Sequence, residues 1–245
     1  MPTIGFGIPL YESVEGYTFI AQTALFAGWK DYAPDDWRLK GPICVRGSVI
    51  VENRNAITDA LLGDGYGKLP GSDSPRSHLT TRRADVIVWN DADCFLEPEQ
   101  YVSLIARLLD YRARGERVAA VGAAFPIQMD GRPSPNVMPL AGADGSPLPL
   151  TFGVGPVDVD WIGFGVLATL ADVYDEMGTR AWFRHVSGAG PEAGGEDTLW
   201  CRDARAAGYR IVLDTDILGA HAYRAPHRLD DYYRNDHKGA VGAEE

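Results

Sequence analysis

Residues 85–97, DVIVWNDADCFLE, decide how the rest of the chain is read. Val86, Ile87, Val88 and Trp89 form a short apolar run of β type. Asn90, Asp91, Ala92 and Asp93 follow at once, and Pro98 opens a helical pattern. In an open α/β sheet, ligands sit in the crevice beyond the carboxyl ends of the strands. Two carboxylates spaced Asp-x-Asp in that crevice suit a hard divalent cation. Such an ion takes one or two carboxylates and fills its other positions with water and substrate phosphates. The same residues would also make an ordinary polar turn or helix cap, so the neighbouring stretches have to decide.

Composition narrows the choice. A chain of 245 residues, 45% hydrophobic and 23% charged, is long enough for one large domain with a sizeable core. The net charge of −11 argues against general affinity for nucleic acid or an anionic membrane, while leaving room for a local basic patch. Cys44, Cys94 and Cys201 are widely spaced and odd in number, which suits a reducing compartment and gives neither a disulfide framework nor a zinc pattern. Cys94 beside the Asp pair reads as a small apolar filler. No signal-like N-terminus and no bilayer-length apolar run is evident, so a cytoplasmic protein without a membrane span is expected.

Upstream, Thr3 to Pro9 reads as a first strand with glycines among apolar residues, leaving Tyr11 and Glu12 at its carboxyl end. Ser13 is a plausible cap for a helix ending at Gly28. A second strand is expected within Ile43 to Val51, and a helix over Ala56 to Leu62, so that Arg54 stands near a helix start, where free N–H groups favour phosphate. The Gly-, Pro- and Ser-rich stretch 63–77 reads as a long functional or disordered loop.

Downstream, Pro98 sits well at a first helical position, with Tyr101, Leu104, Ile105, Leu108 and Leu109 at helical spacing. Arg117 to Val121 is a further strand. Residues 126–149 lack periodicity and read as loop or short hairpins, one wall of a substrate site. Val157 to Trp161 alternates, and Trp161, Gly163 and Gly165 let backbone approach a flat or polyhydroxylated ligand. Thr169 to Met177 reads as helical. Glu196 and Asp197 open another helix, either as caps favoured by the macrodipole or as a carboxylate base. Tyr209 to Leu213 is a strand, and His221 soon after it is either structural or part of a metal site.

Five stretches thus stand in order: residues 8–12 (IPLYE), Arg54-Asn55, residues 90–93 (NDAD), Trp161-x-Gly163-x-Gly165, and Gly195-Glu196-Asp197 with the distal His221. This order resembles nucleotide-sugar glycosyltransferases of the GT-A fold, most nearly the family 2-like group, over about Thr3 to Tyr223. The resemblance implies a mixed, mostly parallel Rossmann-like α/β sheet flanked by helices, as one domain over 1–223 with a tail over 224–245. It implies that Pro9, Tyr11 and Glu12 line a nucleoside pocket and that Arg54 and Asn55 lie near the donor. Asp91 and Asp93 would bind ribose and, through Mn²⁺ or Mg²⁺, the diphosphate, with Asp93 the more direct metal ligand. Trp161, Gly163 and Gly165 would shape the sugar and acceptor site. Asp197, with Glu196 beside it, would be the base of an inverting enzyme, and His221 would complete the metal site.

The implied activity is transfer of one sugar from a nucleoside diphosphate sugar, UDP-linked by default, to a hydroxyl acceptor: a glycan, a small molecule or, last in rank, nucleic acid. Absence of a Gln-x-x-Arg-Trp signature and of membrane helices points away from a polysaccharide polymerase. A retaining enzyme of the same fold is the first alternative. A sugar nucleotidyltransferase ranks lower, because Ile8 to Gly16 carries no Lys or Arg. A non-catalytic nucleotide-sugar-binding protein ranks lower still, because both acidic pairs and His221 are retained.

Overall fold

A computed structural model describes residues 1–10, 16–46, 49–63, 83–129, 132–177, 181–190, 192–223 and 225–228. The first strand, β1 (Thr3–Leu10), leads through α1 (Gly16–Ala27) and the single turn α2 (Trp29–Tyr32) to β2 (Arg38–Arg46). Next come α3 (Ile50–Leu62), β3 (Val86–Asn90), the short β4 (Cys94–Phe95), α4 (Pro98–Ala113) and β5 (Val118–Ala124). A hairpin of β6 (Pro126–Met129) and β7 (Arg132–Pro135) precedes β8 (Val137–Pro139), β9 (Pro156–Ile162) and β10 (Val166–Leu170). The chain continues through α5 (Ala171–Glu176), α6 (Glu196–Ala206), β11 (Arg210–Leu218), β12 (Ala220–Tyr223) and β13 (Ala225–Arg228).

Eight strands form the central sheet, in the order β2-β1-β3-β10-β5-β11-β9-β8. β1 is parallel to β2 and β3, and β11 to β5, whereas β10 opposes both β3 and β5, and β9 opposes both β11 and β8. Only β9 and β10 therefore run against the other strands. The sheet is mixed and mostly parallel with helices packed on it, the fold class expected from the sequence. β3, β5 and β10 are buried along their whole lengths, which is why they read as continuous apolar runs rather than as alternation.

Helix α4 forms where the sequence signals it. Pro98 occupies its first turn, and Glu97 and Gln100 complete a reciprocal capping box. Tyr101, Leu104, Ile105, Leu108 and Tyr111 then bury one face. Fully burying aliphatic or aromatic side chains of this kind stabilises by about 1.5–3 kcal/mol each, so this stripe anchors the helix that backs the Asp turn.

Three local readings change. The helix expected over Thr169 to Met177 starts only at Ala171, and Thr169 and Leu170 instead end strand β10 (Val166–Leu170), inserted between β3 and β5. A five-residue apolar run carries no periodicity that separates buried strand from buried helix. β2 begins at Arg38 rather than Ile43, because Arg38 to Lys40 already pair with Thr3 to Gly5, ahead of the Gly41–Pro42 peptide where the register shifts. Helix α3 begins at Ile50, so Arg54 stands in its second turn and not at a free N-terminus; the N–H of Asn53 already bonds Val49. Residues 64–77 of the long loop lie outside the described residues.

Candidate active site

The turn after β3 is shaped by Asn90. Its side chain is 1% exposed, and its Nδ2 donates to the carbonyls of Asp91 and Cys94, both at 2.7 Å. Its Oδ1 accepts from the Tyr101 hydroxyl on α4. One amide thus bends the chain so that Asp91 and Asp93 leave the sheet at its carboxyl edge. The turn is also tied to β10, because the Asp91 N–H bonds the Gly165 carbonyl at 2.8 Å. A Cβ on Gly165 would lie 3.1 Å from Cys94 Sγ and 3.2 Å from the Phe125 ring, so glycine there permits the close approach.

Asp91 and Asp93 have different partners. Arg54 Nη2 donates to Asp91 Oδ1 at 2.8 Å, and Arg54 Nε stands 3.8 Å from Glu196 Oε1. Arg54 is only 2% exposed, with the rings of Trp89, Phe164 and Phe183 at 5.7, 4.9 and 5.8 Å from its guanidinium carbon. Cation–π attraction to such faces offsets part of the cost of burying the charge. Burial pushes the Asp91 carboxyl up to about 7, helped by the charges of Asp93, Glu196 and Asp197 and opposed by Arg54.

Asp93 Oδ2 lies 2.9 Å from His221 Nε2. Burial works against both charges. The hydrogen bond and the charge attraction between the two groups, with smaller backbone contributions, together outweigh it, holding the Asp93 carboxyl below its usual range and raising the His221 imidazole. His221 Nδ1 faces the Pro126 carbonyl at 3.1 Å. A carbonyl only accepts, so Nδ1 carries a hydrogen; in the charged ring Nε2–H donates to Asp93, and loss of that proton frees the Nε2 lone pair for a cation. A backbone carbonyl holding the far nitrogen in this way is the usual support of a metal-binding histidine. Asp93 and His221 therefore fit a divalent cation. Burial, then the charges of Asp91 and Asp93, push the Cys94 thiol well above its ordinary value.

A cavity of about 240 Å³ at this edge is lined by Arg54, Asp91, Asp93, Trp161, Gly163, Gly165, Glu196, Asp197 and His221, among others. These nine are among the residues singled out in the sequence. A larger cavity of about 870 Å³ near Trp29 and Trp37 lies between α1 and the start of β2 and gathers no such set. Glu196 and Asp197 open α6 behind Gly195, and Asp197 Oδ1 accepts its neighbour Thr198's N–H at 2.7 Å. Pro9 is in β1 and is not among the lining residues. Asn55 is also set apart. It exchanges two hydrogen bonds with the main chain of Phe183, at 2.8 and 3.0 Å, and so fixes one of the rings around Arg54. Tyr11 and Glu12 lie outside the described residues.

Asn136 went unnoticed in the sequence. It is 4% exposed and lines the cavity, accepting from the Phe125 N–H at 2.7 Å and donating to the Gly163 carbonyl at 3.1 Å. Its own carbonyl accepts the Gly163 N–H at 2.7 Å. It ties the end of β5 to the turn between β9 and β10, and a Cβ on Gly163 would crowd it at 3.2 Å. Its place in a Pro- and Gly-rich stretch without periodicity offers no local signal.

No protein-family profile matches the sequence, and no curated protein matches it. Solved structures do resemble the chain in arrangement. The crystal structure of A197 from STIV aligns with a TM-score of 0.49 and 13% identity over 90% of this chain and 85% of that one. The crystal structure of GalNAc-T7 with UDP, GalNAc and Mn²⁺ aligns with a TM-score of 0.46 and 10% identity over 88% of this chain. The chain spans 43% of the length of GalNAc-T7. At these identities neither likeness bears on substrate or chemistry. Among the described residues no helix is long and apolar enough to cross a membrane.

Proposed function

We propose that the protein is a metal-dependent, inverting glycosyltransferase of the GT-A type, family 2-like. It moves one sugar from a nucleoside diphosphate sugar, a UDP-sugar first among the candidates, to an acceptor hydroxyl. The observation that supports this is the convergence of Asp91, Asp93, His221, Arg54 and the Glu196–Asp197 pair in one cavity at the carboxyl ends of the strands. At about 240 Å³ the cavity is smaller than the roughly 300–1,000 Å³ of pockets that enclose a drug-sized ligand. It suits the sugar–phosphate end of a donor, with the nucleoside extending beyond it; Pro9, Tyr11 and Glu12 are the residues proposed to contact that nucleoside.

Asp93 and His221 would hold Mn²⁺ or Mg²⁺, which when bound supplies Lewis-acid neutralisation of the leaving diphosphate. Arg54 keeps Asp91 extended into the cavity, where it meets the ribose or a water. Trp161, with Gly163 and Gly165, forms the wall against which the sugar lies. Asp197 accepts the acceptor's hydroxyl proton as that oxygen attacks the anomeric carbon, and Glu196, its neighbour in the chain, stands 3.8 Å from Arg54 Nε. Holding donor and acceptor in line supplies much of the remaining acceleration.

The test is a screen of the purified protein against UDP-, GDP- and dTDP-sugars with Mn²⁺, Mg²⁺ or EDTA, following thermal stabilisation and nucleoside diphosphate release. A donor at 100 times its dissociation constant adds about 2.7 kcal/mol of stability. Metal-dependent stabilisation and slow diphosphate release by one donor is the expected result. Silence toward every donor, with and without metal, overturns the reading. The anomeric configuration of the product, read by proton NMR, decides between inversion and retention.

A further inference from the structure

The metal reading above rests on oxygen and nitrogen donors, but the cavity contains a sulfur as well. Cys94 follows Asp93 directly and lines the same cavity. The ligand atoms of Asp93, Cys94 and His221 lie within 4.8 Å of one another. Their proximity is built into the backbone, since β4 and β12 are antiparallel and His221 stands directly opposite Cys94 in register. Directly opposite residues project from the same face with Cβ atoms about 4.5–5.5 Å apart. Cys94 Sγ also lies 3.7 Å from Asp93 Oδ1, and the missing Cβ of Gly165 leaves it room. Asp91, by contrast, has Oδ1 engaged by Arg54.

We propose that Asp93, Cys94 and His221 together form a mixed oxygen–sulfur–nitrogen site that selects borderline, thiophilic divalent ions such as Zn²⁺ and Co²⁺ over Mg²⁺. This deepens the metal-dependent reading above by naming the ion class of the same site. Thiolate ligands favour Zn²⁺-like ions, whereas Mg²⁺ keeps to oxygen. On binding, the S–H bond of Cys94 breaks, an S–metal bond forms, and the proton passes to bulk water; a coordinating thiol is deprotonated outright by such an ion. Mg²⁺ would be held without the Cys94 sulfur.

The experiment is a Co²⁺ titration of the full chain without any sugar donor, read by absorption. The expected result is a near-ultraviolet thiolate-to-cobalt charge-transfer band that saturates at one ion per chain, is bleached by Zn²⁺ and is untouched by equimolar Mg²⁺. Cys94→Ser should abolish the band and weaken Zn²⁺ binding by about tenfold or more. Mg²⁺ binding should change by less than about threefold, since oxygen ligands hold that ion. Cys94→Ala serves as the second variant, with circular dichroism showing that each is folded. Ligand-field absorption without the charge-transfer band, or a band that survives in a folded Cys94 variant through Cys44 or Cys201, overturns the proposal. So does failure of Co²⁺ and Zn²⁺ to bind the parent. None of these outcomes touches the donor screen, which judges the glycosyltransferase reading separately.

Discussion

Asn90→Ala is the substitution that most directly joins fold and site. It strips three partners at once: the Tyr101 hydroxyl and the carbonyls of Asp91 and Cys94. Leaving a buried polar group unpaired costs about 1–3 kcal/mol. The Asp91 carbonyl keeps the Cys94 N–H at 3.1 Å, so its share falls at the low end. The sum is about 3–5 kcal/mol, a large part of the roughly 5–15 kcal/mol that holds a domain together. In a chain of this size each kcal/mol moves Tm by roughly 2–4 °C, so a drop of about 10 °C is expected. Urea denaturation of the parent, Asn90→Ala, Tyr101→Phe and the double variant measures it. Tyr101→Phe alone should cost about 1–3 kcal/mol. The double variant should fall short of additivity, as residues sharing one bond do. Below the Tm of Asn90→Ala, its divalent-ion binding should still be weaker than the parent's, because Asp93 rides on the released turn. A loss under about 1 kcal/mol, or strict additivity with Tyr101→Phe, would refute the claim that this amide organises the Asp turn.

Further outcomes follow from other contacts. Gly219→Ala should destabilise by about 1–3 kcal/mol or more, since a Cβ there overlaps the Phe125 ring; partial recovery in Gly219→Ala/Phe125→Leu, read by thermal melting, checks the cause. Asp197→Asn should lower sugar transfer by roughly 10²–10⁴-fold while leaving donor binding within about twofold, and near-normal turnover would remove Asp197 as the base. Glu176 is held below its ordinary pKa by the Tyr209 hydroxyl and by Arg117. A carboxylate depressed on folding contributes stability that is present above its unfolded value of 4.5 and lost as pH falls through the folded one. Urea midpoints of the parent should therefore fall more steeply below pH 4.5 than those of Glu176→Gln, and high salt should narrow the difference, because the group is exposed.

The local signals in the chain were sufficient for several parts of the molecule. β3 ends in Asn90, and the Asp pair follows at the carboxyl edge, because an apolar run closed by polar residues can leave a sheet in few other ways. The Glu97–Gln100 box and Pro98 set the start of α4, since capping is a matter of residues three apart. Glu196 and Asp197 open α6 because acidic residues in a first turn complement the helix macrodipole. The sequence also brought forward the nine residues that share the cavity, by their order rather than by any single motif.

What the sequence by itself determined is which segments are strands and helices when period and caps are strong, and that acidic groups cluster where strands end. Only the tertiary structure decided the rest. It placed β10 between β3 and β5 in the reverse direction, a choice made by pairing Val166 with Asn90 and Leu167 with Gly122 across long stretches of chain. It enclosed Arg54 in three rings from separate segments and turned Asn55 onto Phe183 instead of outward. It set His221 against Asp93 and opposite Cys94, more than a hundred residues away along the chain. Periodicity and capping act within a few residues. These contacts form between groups far apart in sequence, where only the packed sheet determines which side chains meet.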